Sequence, residues 1–332
     1  MSNKKENTAC AFKTSIGGQA LIEGILMRGP SRQAIVCRKA DGSLISKEED
    51  LKLTRDKHPI LRIPFLRGLP LFFDSMANGM RALTWSAEQL PEEEQEQPSK
   101  LDLWLEKKLG SEKAEKAVVA VALVLGVLLA VGLFVLLPAL LFELLPAGMN
   151  LVLRCVLEGL IRIVIFIAYL WLVTKMPEVK RLFAYHGAEH KTIFCYEKRL
   201  ELTVENVREQ SRFHPRCGTS FLVVTMLIAI LLVSVMTWVL SLIPGLAALP
   251  KLAAALVRVL AKLIILPLIV SLTYELNRWV GGHDTNPIAK LAAWPGKMTQ
   301  HLTTREPDDG MIECAIAALK AVIPEEAGAD AW

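Results

Sequence analysis

The chain has 332 residues, of which 52% are hydrophobic and 22% are charged, with a net charge of +4 and a mean hydropathy of +0.37. Soluble domains are less apolar, at about 45–50%, so these values argue against a purely soluble enzyme, a disordered chain or a small disulfide scaffold. The small net charge gives no reason to expect sequence-specific nucleic-acid binding. The apolar excess lies between residues 117 and 274, which indicates a membrane core.

Residues 1–90 are predicted to form a small cytoplasmic α+β domain. The glycines of GGQ at 17–19 are expected to allow a tight turn before a strand at 20–27. Gln33–Ile45 is expected to form two further strands around an Asp-Gly turn. Apolar residues then recur at helical spacing over 61–90, which predicts an amphipathic helix on the membrane surface.

Four apolar blocks predict an α-helical multi-pass membrane protein with four transmembrane helices in two hairpins. A charged linker at 91–116 precedes the first hairpin, 117–174, and the second hairpin covers 221–274. Blocks 117–142 and 221–243 carry no charge and exceed the length needed to cross a hydrocarbon core of about 30 Å.

Charges interrupt the first half of the second and fourth blocks at helical i, i+4 spacing. These charges either reach the interface or line the seam of the helix bundle, or they line a polar cavity used for function. Both interpretations are open at this point. The charged residues are Arg154, Glu158 and Arg162 in the second block and Arg258 and Lys262 in the fourth.

The segment 175–216 contains nine Lys and Arg residues, whereas the turns inside the hairpins contain almost none. The positive-inside rule therefore places this segment and both termini in the cytoplasm and the protein in the cell membrane. Six scattered cysteines without a CxxC pair agree with a reducing compartment. The tail, 275–332, is predicted to end in an amphipathic helix capped by Asp308 or Asp309. The first ten residues are polar, so no cleaved signal peptide is expected.

The sequence HGAEH contains His186, Glu189 and His190 within a predicted cytoplasmic loop, 175–220. Imidazoles four residues apart on a helix point the same way and can share one divalent metal ion such as zinc. A Glu beside the second His can act on water as a general base. A third ligand must come from elsewhere. The candidates are His214, Cys217, His283 and Asp284.

Several roles remain open for these candidates. One further ligand would give an open, catalytic metal site, whereas His214 and Cys217 together would give a closed, structural one. Cys217 could instead be a nucleophile with His214 as its base. Glu23 and Arg28 alternate with apolar residues, and they form either a solvated strand face or contacts to the segment that carries His186.

Five motifs follow one another along the chain and cover nearly all of it, namely GGQALIEGILMRGP, YHGAEHKT, LTVENV, HPRCGTSF and LTTREPDD. Together they resemble the YqhQ-like family of bacterial multi-pass membrane proteins. The family is uncharacterised and is described only as predicted metal-dependent enzymes. The resemblance therefore implies a metal at His186, Glu189, His190, His214 and Cys217.

Three hypotheses follow. The first is a membrane-embedded metal-dependent hydrolase with its site at the cytoplasmic interface, in which Glu189 acts on water. The second is a non-enzymatic factor that assists membrane-protein insertion or assembly at the translocon, with the basic 175–216 segment contacting ribosomal RNA or anionic lipid. The third is transport, for which four spans leave little room. In all three the lipid bilayer is a partner, and the oligomeric state is open.

Overall fold

The computed structural model describes residues 12–91, 111–143, 149–246, 248–283 and 285–332. The chain forms two compact units, one made of Met1–Gln89 with Val173–Trp332 and the other of Leu90–Leu172. This division differs from the six consecutive regions expected from the sequence. The N-terminal strands share one unit with the C-terminal half of the chain because they pack on helices from that half.

Within the described residues the order is four strands followed by helices. The strands are β1 (Gly17–Leu21), β2 (Gly24–Arg28), β3 (Arg32–Arg38) and β4 (Leu44–Asp50). The helices are α1 (Thr54–Lys57), a 3₁₀ turn (Pro59–Arg62), α2 (Gly68–Glu88), α3 (Ser111–Val131), a π-helical turn (Gly132–Leu136), α4 (Leu137–Glu143), α5 (Leu151–Val173), α6 (Pro177–Glu197), α7 (Val204–Arg208), α8 (Gly218–Ser241), α9 (Lys251–Gly282), α10 (Pro287–Thr303) and α11 (Asp309–Lys320).

The four strands form an antiparallel meander in chain order. The predicted hairpin around the Asp-Gly turn is confirmed, with Gly42 in the left-handed region at φ 83°. The predicted strand over 20–27 is instead parts of β1 and β2, because the chain reverses at Glu23, which has φ 49°. The Glu23 carbonyl then accepts a hydrogen bond from Arg38 N at 2.8 Å, which ties this turn to the end of β3.

The sheet lies between two helical layers. One face buries Leu26 and Ile35 against Ala82 of α2. The other face buries Ile25 and Val36 in the main core, together with residues of α6 and α11. Helix α11 begins as predicted, because the Asp308 side chain accepts a hydrogen bond from Met311 N and so caps the first turn.

The segment 175–220, expected to be a loop, is mostly helical. Helix α6 begins with Pro177 at its first turn, a favourable position for proline. Most of its C-terminal two-thirds is buried, including Glu189 and His190 of HGAEH, while His186 is half-buried. Gly187 makes this possible, because a Cβ atom there would lie 1.9 Å from the Arg305 carbonyl oxygen. Arg305 N also donates a hydrogen bond to Phe183 O at 2.8 Å, so the strand-like segment after α10 runs along α6.

Among the described residues, three helices are long and apolar enough to cross a membrane, in the segments Val156–Val173, Leu222–Leu240 and Leu256–Gly282. The third of these segments extends eight residues beyond the fourth predicted block, which ends at Tyr274. In the first predicted block, 117–142, the described apolar helix, Ala120–Phe134, is shorter.

In the smaller unit, α5 contributes aromatic side chains that contact the π-helical turn. The ring of Phe134 lies 5.6 Å from the ring of Tyr169, edge to face. On α5 itself, Glu158 and Arg162 form an ion pair four residues apart. Two of the charges that interrupt the second block therefore neutralise each other.

We expect Gly187→Ala to destabilise the protein by about 1–3 kcal/mol or more, because the added methyl group meets main-chain oxygen that cannot rotate away. Gly218→Ala is the control, since no heavy atom lies within 4 Å of a Cβ there. Thermal unfolding in detergent measures both. Equal unfolding temperatures for the two variants would contradict the close packing of α6 on the Arg305 segment.

Candidate metal centre

Helix α6 places His186 and His190 one turn apart, with their ring centroids 4.4 Å apart. Cys217 comes from a different element, because it is the residue that caps the N-terminus of α8. The Sγ atom of Cys217 lies 3.2 Å from Nε2 of His186. His186, His190 and Cys217 each offer one ligand atom, and these three atoms lie within 4.8 Å of one another. We call these three residues the His-His-Cys cluster.

Main-chain carbonyls orient both imidazole rings of the cluster. His186 Nδ1 lies 2.8 Å from Thr303 O, and His190 Nδ1 lies 2.6 Å from Arg212 O. A carbonyl can only accept a hydrogen bond, so each ring carries a proton on Nδ1. In the neutral ring Nε2 then has a free lone pair. Metal-binding histidines are usually oriented in this way, with the other ring nitrogen donating a hydrogen bond. The Nε2 atom of His190 is buried and makes no hydrogen bond among the described residues.

The charges within the cluster support one another. Burial opposes an ionised Cys217, but the nearby His186 and His190 outweigh burial and hold the pKa of this thiol well below its usual value. Burial likewise opposes a charged His186, but the Cys217 thiolate outweighs it and raises the pKa of His186 to about 9. Without a metal, the proton on His186 Nε2 and the Cys217 thiolate form a buried ion pair. A divalent cation can take the place of that proton.

Glu189 lies beside the cluster and is buried. Its Oε1 atom accepts a hydrogen bond from Gly18 N at 3.0 Å. A Cβ atom at position 18 would lie 3.1 Å from the Glu189 carboxyl carbon and 2.6 Å from Leu26 O, so only glycine allows this approach. Burial raises the pKa of Glu189, while His186 and His190 act in the opposite direction. Burial therefore makes the carboxylate of Glu189 a stronger base than an exposed one, which suits a group that accepts a proton.

His214 lies next to the cluster but turns away from it. Its ring centroid is 5.5 Å from that of His190, and its Nε2 atom is 3.6 Å from Glu197 Oε2. Glu197 is fully buried, forms an ion pair with Arg216 and accepts a hydrogen bond from Thr14 N at 2.9 Å. His214 thus belongs to a polar network behind the cluster.

The other predicted site residues lie elsewhere. Glu23 binds Arg181 through a hydrogen bond of 2.6 Å. Arg28 donates to Ser75 Oγ at 3.0 Å. His283 Nδ1 lies 2.9 Å from Trp279 O, at the end of α9. The structure brings none of these three described residues into the His-His-Cys cluster. Asp284 lies outside the described residues.

Sequence reasoning missed the residues that orient the cluster. Thr303 and Arg212 act through main-chain oxygens, which no side-chain pattern reveals. Gln300 holds the segment before Cys217, since its side chain accepts from His214 N and donates to His214 O, both at 2.8 Å. Gly18 had a detectable signal, because glycine inside a strand often marks close approach of another group.

Comparison with known proteins gives a family but no activity. The family described as "Protein of unknown function (DUF1385)" matches residues 63–325, which include α6 and Cys217. The chain belongs to this family. It is also 33% identical over 316 residues to the "Uncharacterized protein YqhQ" of Bacillus subtilis (strain 168), covering 94% of this chain and 93% of that protein. No solved structure matches the chain.

The stability of the protein should depend on the protonation of His214. Burial lowers its pKa to about 4, and Glu197, Arg216 and His190 face the ring. The value in the unfolded chain is about 6.5. Because the folded value is lower, proton uptake favours unfolding, so stability present above pH ~6.5 is lost as the pH falls towards 4.

We expect the free energy of unfolding of chelator-treated protein to fall over this range, and His214→Gln to reduce the slope. His283→Gln is the control, because His283 is exposed. Denaturant unfolding at several pH values measures the slope. An unchanged slope in His214→Gln would show that the pKa of His214 does not differ between the folded and the unfolded protein.

Proposed function

We propose that this chain is an integral membrane protein that holds a divalent metal, of zinc type, at the cytoplasmic face of the membrane. The observation that carries this proposal is the orientation of two imidazoles, that of His190 buried and that of His186 half-buried, whose Nδ1 atoms face carbonyls while Nε2 is left as a ligand beside the Cys217 thiolate. Imidazole and thiolate together favour zinc and other borderline-soft ions over magnesium or calcium.

The donor set favours catalysis over a purely structural role. Three protein ligands leave one position of a tetrahedral ion open, which is the usual arrangement in catalytic zinc sites, whereas structural sites have four protein ligands. The fourth candidate ligand, His214, faces Glu197 instead. When bound, the ion would supply Lewis acidity.

We therefore propose hydrolytic chemistry in which Glu189 acts as the general base. Its Oε1 atom is fixed by Gly18 N, and its burial keeps the proton affinity of the carboxylate high. A fixed, buried carboxylate next to an electrophilic centre suits the removal of a proton from water. His186 and His190 hold the ion, and the Thr303 and Arg212 carbonyls keep both rings in position.

A Cys217 nucleophile is a second candidate, because the thiol contacts His186 directly. In this alternative His186, rather than His214, is the base. It leaves the buried Nε2 atom of His190 without a role, which is why we favour the metal.

Elemental analysis of purified protein should find one zinc-type ion per chain. We expect His190→Ala and Cys217→Ala to lose the ion, and His283→Ala, the matched control, to retain it. Glu189→Gln should retain the ion but lower turnover of ester, amide or phosphoester probes by about 100-fold or more.

The outcomes separate the alternatives. Protein without stoichiometric metal, whose Cys217 is alkylated at neutral pH, would instead support the cysteine nucleophile. A protein that binds the ion, unfolds when the ion is removed and turns over none of the probes would support a structural centre. That result would favour the non-enzymatic role in membrane-protein insertion.

We also propose four membrane spans, with 117–142 as the first, and both termini in the cytoplasm. The support is the three long apolar helices, the shorter helix Ala120–Phe134 and the basic segment between the hairpins. Reporters fused after residue 150 and after residue 332 should report opposite sides of the membrane. The same side for both would contradict this topology.

A further inference from the structure

The two faces of helix α10 have different surroundings. Its inner face is buried and consists of small and polar residues, including Ala289, Gly296 and Thr299. Its outer face carries large apolar side chains that are strongly exposed. The four residues, which we call the outer stripe, are Ile288 (66% exposed), Leu291 (73%), Trp294 (58%) and Met298 (42%).

The outer stripe lies opposite the buried face. At 3.6 residues per turn its four positions fall within about one third of the helix circumference. A helix on the surface of a soluble protein has polar residues on this side. Four large apolar side chains that are strongly exposed along one helix face are expected where another apolar phase covers them.

The position of α10 identifies that phase as lipid. The helix begins five residues after α9, and its Ala289 and Ala293 pack against Val280. Val280 lies in the apolar segment Leu256–Gly282, so the inner face of α10 packs on the end of a candidate membrane span. Interfacial helices combine such a stripe with Trp and with basic residues that face anionic headgroups. Helix α10 has Lys290 and Lys297 and no acidic residue.

The C-terminal residues of α10 contact the residues of the candidate metal centre. The Thr303 carbonyl orients His186, and Gln300 makes two hydrogen bonds to the backbone of His214, three residues before Cys217. One helix therefore carries the outer stripe on one side and supports two of the three cluster residues on the other.

We propose that the outer stripe of α10 lies in the headgroup–acyl boundary of the bilayer, and that this lipid contact holds the His-His-Cys cluster in its assembled form. This proposal rests on the membrane location and the metal centre of the proposed function. A lipid-seated helix next to the centre also points to a substrate that arrives at the membrane surface.

A label on the stripe tests the lipid contact. Leu291→Cys is labelled with the fluorophore NBD in full-length protein that also carries Cys10→Ser and Cys155→Ser, since the four other cysteines are buried. The protein is placed in nanodiscs of phosphatidylcholine and phosphatidylglycerol with or without acyl-chain bromine. Leu44→Cys on β4 is the control, because Leu44 is also an exposed apolar residue, at 40%.

We expect bromine to quench the label at position 291 at least twofold and to leave the label at position 44 unchanged. Equal emission with and without bromine at position 291 would overturn the proposal. So would protection from a water-soluble quencher without bromine quenching, which would indicate that a second copy of the chain covers the stripe.

Metal retention tests the connection to the cluster. Leu291→Asp should release zinc to a chelator several-fold faster in nanodiscs than the parent protein or Leu44→Asp. Equal rates would overturn the connection. If no preparation binds zinc, the proposed metal centre fails, while the bromine result still decides whether α10 contacts lipid.

Discussion

Two imidazole N–H groups on one helix, donated to main-chain carbonyls of distant segments, join the parts of the larger unit. His186 ties α6 to the end of α10, and His190 ties it to the segment that leads into α8. Each hydrogen bond fixes a ring and its tautomer, and it also brings a new segment to α6. The same contacts thus bring distant segments of the chain together and turn the Nε2 atoms of both rings towards Cys217.

These contacts require a polar helix to be buried, and burial of polar groups is costly unless each has a partner. The protein pairs its buried polar groups through networks rather than isolated pairs, although His190 Nε2 and Glu197 Oε2 make no hydrogen bond among the described residues. Glu197 has no exposed surface, and Arg216 and Thr14 provide donors to it. The same network includes the side chains of His214 and Arg216, so it holds the segment before Cys217 together with Gln300, which bonds to the His214 backbone.

Glycine allows two close approaches around the centre. At Gly187 the Arg305 main chain reaches α6, and at Gly18 the first strand reaches the Glu189 carboxylate. Both glycines belong to motifs that sequence analysis singled out, HGAEH and GGQ, but for other reasons. Their importance lies in the missing side chain, which sequence spacing alone does not show.

The sequence by itself determined the features that depend on local pattern. The Asp-Gly hairpin, the cap at Asp308, the long apolar helices and the pairing of His186 with His190 follow from turn chemistry, composition and helical period. Only the tertiary structure decided that Cys217 completes the cluster, that His214 faces Glu197 and that His283 lies elsewhere. It also decided that Gly18 holds Glu189. These outcomes depend on contacts between residues far apart in the chain and on main-chain atoms, and neither leaves a mark in local residue spacing.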